Sequence, residues 1–393
     1  MGTGRLKRSV RSALAGSPIF GGALTAAVIG GALPASAAAV VKTIAVGGAP
    51  DAVSSDGTHV WVANAEGTVS EIDASTGTVV KTIAVGSFPE GISSDGTHVW
   101  VANQGDNTVT EIDASTGAVV QTIAVGSGPE GISSDGTHVW VANYEGDTVS
   151  ELNASTGAVV QTIAVGGFDI SSDGTHVWVT GSGEGVTELD ASTGAVVQSI
   201  AVGDDPTGIS SDGTHVWVAN DEDHTVSELN ASTGAVVQTI AVGSAPLGVS
   251  SDGTHVWVAN SGGDTVSELD ASTGAVLQTI AVGAGPDGVS SDGTHVWVTN
   301  EDDNTVSEIA IEGTPPTITS FSPASGPVGT VVTIKGTGLS GATKVTFNGV
   351  KGTITTDTAT KLKVKVPSGA KTGKIKVVDP DGTATSKTNF KVT

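Results

Sequence analysis

Residues 129–167 read PEGISSDGTHVWVANYEGDTVSELNASTGAVVQTIAVGG. The stretch divides into four short runs of alternating character: GISS, HVWVAN, TVSEL and AVVQTIAV. Asp-Gly stands between the first and second runs, and Ser-Thr-Gly between the third and fourth. Both are turn signals that fold a strand back on its neighbour. Val, Ile and Thr fill the runs, as a pleated, half-buried surface prefers. None of the runs carries a 3.6-residue period, so the unit reads as four consecutive antiparallel strands.

The unit repeats. Gly-Thr-His-Val-Trp-Val recurs around Trp61, Trp100, Trp140, Trp178, Trp217, Trp257 and Trp297, which are all the tryptophans of the chain. Four strands per repeat of about forty residues is the signature of a propeller blade. The expected fold class is therefore all-β: a seven-bladed β-propeller. Its ends suggest how it closes. Residues 40–46 (VVKTIAV) match the fourth strand of a unit, and residues 305–311 (TVSEIAI) match a third strand that lacks a fourth. The N-terminal strand is expected to complete the seventh blade, which would remove an open sheet edge. With WVAN or WVTN at each second strand, residues 40–311 resemble the YVTN family of seven-bladed propellers, with Trp in the Tyr place. The resemblance implies a secreted or surface-layer protein. The fourth unit departs from it: GGFDIS (166–171) lacks the proline, and Gly181 replaces Asn.

Charge divides the 393-residue chain into three parts. Residues 1–39 hold four basic residues and no acid. Residues 40–313 hold two lysines against 38 acids, and residues 314–393 hold eleven lysines against three acids. The first part orders a basic segment (RLKRSVR, 5–11), a Gly/Ala-rich apolar stretch and Ala35-Ser36-Ala37. This is the layout of a secretory signal peptide over 1–37, cleaved near Ala37 or Ala39. The expected organisation continues with the propeller over 38–312, a Gly/Pro linker over 313–316 and a second domain over 317–393. The expected address is secreted, extracellular or envelope-associated, with no transmembrane segment in the mature chain. An acidic body of this size repels nucleic acid, so no nucleic-acid partner is expected. The absence of cysteine excludes disulfides, thiolate nucleophiles and Cys-ligated metals.

Residues 317–393 alternate over short runs such as KVTFNG, KLKVKVP and GKIKVVDPDG, which points to an Ig-like β-sandwich. Ser322-Pro323, Gly326-Pro327, Gly329, Gly336, Gly338-Leu339 and Phe347-Asn348-Gly349 make this segment resemble an IPT/TIG domain. That resemblance implies a spacer or binding module and no chemistry.

Comparing the seven units with one another shows where a specific contact could sit. The SDGTH turn is identical in all seven units and the ASTG turn in the six that have it. The other two loops vary, and in a propeller they share the opposite face. Loops carry recognition, so this variable face is the candidate binding surface. Its acids are Asp51, Glu90, Glu130, Asp169, Asp205 and Asp287, expected near the mouth of the central channel. Carboxylates converging there would admit calcium, although no loop shows an EF-hand pattern and no other cofactor is expected. The apolar exceptions are Phe88, Tyr144, Phe168 and Leu247; exposed aromatics suit protein or glycan contacts.

The seven repeat histidines stand one per unit, too far apart to share a metal ion. Pairing the second and third strands sets His59 opposite Asp73 and Trp61 opposite Glu71. It likewise sets His138 opposite Asn153 and Trp140 opposite Glu151. These are expected to be structural cross-strand pairs in which imidazole and indole N–H find acceptors. His224, beside Asp221, Glu222 and Asp223, is the one histidine outside this position and a candidate base or ligand. No catalytic residue or metal site is assigned.

The sequence thus points to a non-enzymatic scaffold that binds a protein or glycan, including a cell-envelope component, through its variable acidic face. Two alternatives stand beside it: a propeller enzyme of streptogramin-lyase or quinoprotein type, and a self-assembling surface-layer component.

Overall fold

The computed structural model describes residues 38–181, 185–311, 316–336, 339, 342–358, 361–379 and 382–393. The signal-peptide expectation, most of the linker, most of the SGEG loop and Gly338 lie outside the described residues. Two compact units are present, one from Ala39 to Ala310 and one over residues 311–393.

The first unit is propeller-like. Among the described residues it holds seven four-stranded sheets, each built from neighbouring strands in chain order except one. The 129–167 repeat folds as expected, with strands Pro129–Ser134, His138–Asn143, Thr148–Asn153 and Val159–Ile163. In the exceptional sheet, Ala39–Ala45 lies antiparallel beside Thr305–Ala310 and supplies the fourth strand. The cross-strand pairs also match the register read from sequence. His59 faces Asp73, Trp61 faces Glu71, His138 faces Asn153 and Trp140 faces Glu151.

Apolar packing joins one sheet to the next. All seven tryptophans are fully buried. Trp61 sits among Ile92, Val99, Val101 and Ile112 of the following sheet, and Trp140 among Ile170, Val177, Val179 and Leu189. Trp297 packs on Val53, Val60, Val62 and Ile72, residues of the first sheet. Burying one such side chain contributes about 2–3 kcal/mol.

A polar clasp accompanies each apolar joint. Ser94 N–H donates to Ser54 Oγ at 3.0 Å, and Ser94 Oγ donates to Asp56 Oδ2 at 3.4 Å. The same pair recurs between each sheet and the next. Ser55 makes it with Ser290 and Asp292, at 3.0 and 3.2 Å. The aspartate of each clasp also organises its own turn: Asp95 Oδ1 accepts from Thr97 N at 2.9 Å and His98 N at 2.8 Å. One side chain therefore fixes a hairpin and ties two sheets, which explains why SDGTH is invariant.

Two expectations about the structural pairs need correction. The imidazoles do not bond the third-strand terminus that faces them. His59 lies between Asp56 and Glu71, at 3.8 and 3.9 Å, and the other repeat histidines sit against the corresponding glutamate. Indole N–H groups reach an acceptor only in Trp61 and Trp297, at 3.4 Å from Asp56 and Asp292. In Trp100, Trp140, Trp178, Trp217 and Trp257 the buried Nε1 has no hydrogen-bond partner.

The second unit is a β-sandwich. One sheet holds Ser320–Ser322, Val331–Lys335, Lys361–Lys365 and Thr353–Thr358; the other holds five strands, including Lys344–Phe347, Gly373–Asp379 and Gly382–Val392. Phe347, Phe390, Val332, Ile334, Leu362, Val364, Ile375 and Val377 fill the space between them. The lysines of KLKVK are exposed while Leu362 and Val364 are buried, as the alternation predicts.

Candidate functional site

The variable loops are built on a buried asparagine. Asn143, at the end of its strand, is fully buried and donates through Nδ2 to Thr148 Oγ1 and Ser150 Oγ, at 3.2 and 3.0 Å. Equivalent asparagines in other sheets accept from the loop that enters their own repeat; Asn103 Oδ1 takes the Gly86 N–H at 3.0 Å. The loop after the asparagine turns through a left-handed residue: Asn107, Asp147, His224, Asp264 or Asn304, with φ of 48–56°. Short 3-10 turns over 104–106, 144–146 and 261–263, which the sequence did not predict, precede three of these residues.

This geometry reassigns His224. Its Nδ1 lies 3.1 Å from Ala245 N and 2.9 Å from Asp221 O. Asn107 and Asp264 accept from Gly128 N and Gly285 N in the same way, at 2.8 and 3.0 Å. His224 is thus a loop cap in a place held elsewhere by Asn or Asp. Several loop acids also cap backbone. Asp106, Asp223 and Asp303 accept from Ser87 N, Asp204 N and Ala284 N at 2.7, 2.9 and 2.7 Å.

The six acids expected at the channel mouth separate into two groups. Asp51, Glu90, Glu130 and Asp287 occupy one equivalent position, directly after the proline that opens the first strand. A register shift follows that proline in each case. The first strands pack on one another in succession. An added Cβ at Gly91 would strike Glu130 O at 2.1 Å, and one at Gly288 would strike Asp51 O at 2.7 Å. Asp169 and Asp205 are placed differently. Without its proline the fourth repeat sets Phe168 at the Glu130 position and Asp169 at the Gly131 position. There Asp169 Oδ1 accepts from Ile170 N at 2.9 Å and Oδ2 from Ile209 N at 3.0 Å, so this carboxylate ties two sheets. Asp205 is exposed at a φ of 53°, one residue before Pro206. Among the described residues no three His, Asp or Glu side chains are grouped closely enough to hold a metal ion. The calcium expectation therefore finds no ligand set there.

One part of this face does form a cluster. Glu130 is only 8% exposed and Gln104 only 5%. Gln104, from the preceding sheet, donates through Nε2 to Glu130 Oε1 at 2.6 Å. Tyr144, the residue equivalent to Gln104 one repeat on, stands edge-to-face with Phe168 at 5.9 Å and 84°. Burial raises the Tyr144 hydroxyl pKa, and the charges of Glu130, Asp205 and Asp147 add to the effect. Tyr144 and Phe168 are therefore in contact, with Glu130 beside them, and the charge of Asp205 reaches the same hydroxyl. Phe88 stands outside this aromatic pair, 53% exposed, with φ of 49° and its carbonyl taking the Gln104 N–H at 2.9 Å. Leu247 is half-buried at the Glu130-equivalent position. Gln104 was missed from sequence. Its signal was its place directly after the buried asparagine, where the six repeats that have the asparagine carry Ala65, Gln104, Tyr144, Asp221, Ser261 and Glu301.

Among the described residues no helix is long and apolar enough to cross a membrane. Residues 316–392 match the IPT/TIG domain model. No curated protein matches the chain. Hydrazine synthase of Kuenenia stuttgartiensis is a similar solved structure, with a TM-score of 0.60 and 20% identity, over 67% of this chain and 95% of that one. At that identity the likeness speaks to fold alone. A second family model, described as outer membrane protein assembly factor BamB, matches residues 106–312, more than half of the chain. By that match, and by its succession of four-stranded sheets, the chain belongs to the propeller family described as outer membrane protein assembly factor BamB.

Proposed function

We propose that the chain is a secreted or envelope-associated binding scaffold. Its first unit is read as a closed ring of seven YVTN-type blades, and its IPT/TIG unit as spacer or second contact. The ring reading is supported by the strand Ala39–Ala45 beside Thr305–Ala310 and by the Ser55 clasp to Ser290 and Asp292. The address is supported by the basic, apolar and A-x-A order of residues 1–37. The partner is a protein or glycan of the cell envelope.

The observation that carries the binding reading is the cluster of Gln104, Glu130, Tyr144 and Phe168. The four residues come from successive repeats, at the two positions where otherwise near-identical units differ most. A buried carboxylate–amide pair beside an aromatic pair is a built surface, unlike the scattered loop acids around it. The enzyme alternative rested on His224 as a base, and that residue fills a capping place. The family name and the hydrazine synthase likeness bring no catalytic residue to this chain.

The test is co-sedimentation of the full chain with envelopes of the producing cell. Wild type is expected to pellet with them and Tyr144→Ser/Phe168→Ser to stay in solution. Equal pelleting of the two proteins would overturn the reading.

A further inference from the structure

Resting on the envelope address of that reading, we propose that a lysine face of the second unit is its second contact and takes a linear polyanionic chain of the cell envelope. The face belongs to the four-stranded sheet of the sandwich. Lys361, Lys363 and Lys365 alternate along one strand and are exposed, while Leu362 and Val364 between them are buried. Side chains two residues apart stand about 7 Å from one another along a strand, so the three lysines make a row about 13 Å long. The residues paired beside Lys363 and Lys365 are Thr333 and Val331 on one neighbouring strand and Thr356 and Thr353 on the other, none of them acidic. Lys335, also exposed, ends the row directly opposite Lys361.

Two lysines set opposite each other repel and weaken the sheet. Among the described residues this is the one lysine–lysine pair in any strand register. On the other sheet of the sandwich Lys344 faces Val378, Lys376 faces Thr385, and Lys374 donates to the Lys387 carbonyl. A hollow of about 350 Å³ opens at the Lys335–Lys361 pair, lined by these two residues with Thr319, Gly336 and Thr358. Its threonine hydroxyls are spent: Thr319 Oγ1 donates to Lys335 O at 3.0 Å and Thr358 Oγ1 to Lys361 O at 2.9 Å. The side-chain donors left to a ligand there are the two ammonium groups. An anionic group seated between them cancels their repulsion, and the next groups of the same chain meet Lys363 and Lys365.

A single chain suits this face better than other anionic occupants. The first unit carries two lysines against 38 acids over residues 40–313, so it resists an extended anionic plane. Two copies drawn together through the face would bring two such units together as well. A linear polyanion carries its charge in one row and meets the lysines at the least repulsion. Alone the contact is weak at physiological salt; it adds avidity to the contact of the first unit.

Calorimetric titration of the full chain with long-chain inorganic polyphosphate tests the proposal. Wild type is expected to bind, and its affinity to fall about twentyfold between about 50 and 200 mM salt, as three released counterions require. Lys361→Gln/Lys363→Gln/Lys365→Gln is expected to lose at least tenfold. Lys361→Gln alone is expected to lose two- to fivefold and serves if the triple variant fails to fold. Lys344→Gln/Lys376→Gln/Lys391→Gln removes the same charge from exposed places on the other sheet and is expected to lose less than threefold. Equal losses in the two triple variants overturn the assignment, because net charge then carries the binding. Tighter binding to anionic lipid vesicles than to polyphosphate overturns it in favour of a membrane surface. Self-association that the lysine variant abolishes, without polyphosphate binding, overturns it in favour of a second copy. If polyphosphate fails while Tyr144→Ser/Phe168→Ser still abolishes envelope pelleting, the contact of the first unit stands and only this assignment falls. If polyphosphate binds while that double variant pellets like wild type, the lysine face stands and the contact of the first unit falls.

Discussion

The two faces of the propeller-like unit are made from the same repeat yet obey different rules. On the SDGTH side the serine, aspartate and histidine each have a repeated task. Asp95 organises its turn and holds Ser134 of the next sheet, and Asp56 and Asp135 do the same one repeat away. On the variable side the asparagine at the strand end and the left-handed cap recur in most repeats, while the residue after the asparagine and the residue after the proline vary. The first face is a joint, where changing the serine or the aspartate of SDGTH breaks a contact made in every sheet. The second is a joint overlaid with positions that the fold leaves open. Specificity can be written there without loss of the framework.

Substitutions on the two faces should therefore separate stability from binding. The largest effect is expected for Trp140→Ala, which empties the packing between two sheets. A loss of about 3–5 kcal/mol should appear in denaturant unfolding. A loss under about 1 kcal/mol would show that the sheets are not held mainly by these indoles.

Next comes Asp95→Ala, which leaves the N–H groups of Thr97 and His98 without their acceptor. It should cost about 1–3 kcal/mol. Asp95 also predicts a pH response. Burial pushes its pKa up, but hydrogen bonds from His98, Thr97 and Ser134 and the nearby His98 outweigh that and hold it below the usual value. Asp173 and Asp212 behave alike, and so does Asp292, through Thr294 and His295. A depressed carboxylate stabilises the fold above its unfolded pKa of about 3.9 and loses that contribution as pH falls through the lower folded value. Thermal stability should thus fall in acid below about pH 4, and Asp95→Asn should flatten that part of the profile.

Smaller still is the expected stability cost of Tyr144→Ser, under about 1.5 kcal/mol, the scale of one aromatic pair. Envelope binding should nevertheless be lost. The smallest is His224→Asn, within about 0.5 kcal/mol, because asparagine holds the same left-handed cap elsewhere and tolerates that backbone. A large loss of function in His224→Asn with the fold intact would break the capping assignment and restore an active role for that imidazole.

The framework was legible because its signals are local. Asp-Gly turns, alternation in HVWVAN and the forty-residue recurrence each lie within one repeat, and they set the register that puts Trp140 opposite Glu151. The cluster was legible only in part. Tyr144 and Phe168 stood out by composition, whereas Gln104 meets Glu130 across 26 residues and two sheets. Seeing that contact requires knowing that the residue after one asparagine lies beside the residue after the next proline. Asp169 misled for a related reason: the missing proline shifts the fourth repeat by one place, turning a mouth acid into a tie between sheets. His224 misled because it was read by its neighbours in sequence, not by its equivalents in the other repeats.

The central claim is that one face holds the fold and the other makes the contact. The most direct test is co-sedimentation of three full-length proteins with envelopes of the producing cell: wild type, Tyr144→Ser/Phe168→Ser, and Ala158→Lys, which alters an exposed residue beside the invariant ASTG turn. Wild type and Ala158→Lys are predicted to pellet equally and the double variant to remain soluble. Pelleting of the double variant together with loss of Ala158→Lys would contradict the account and move the contact to the invariant face.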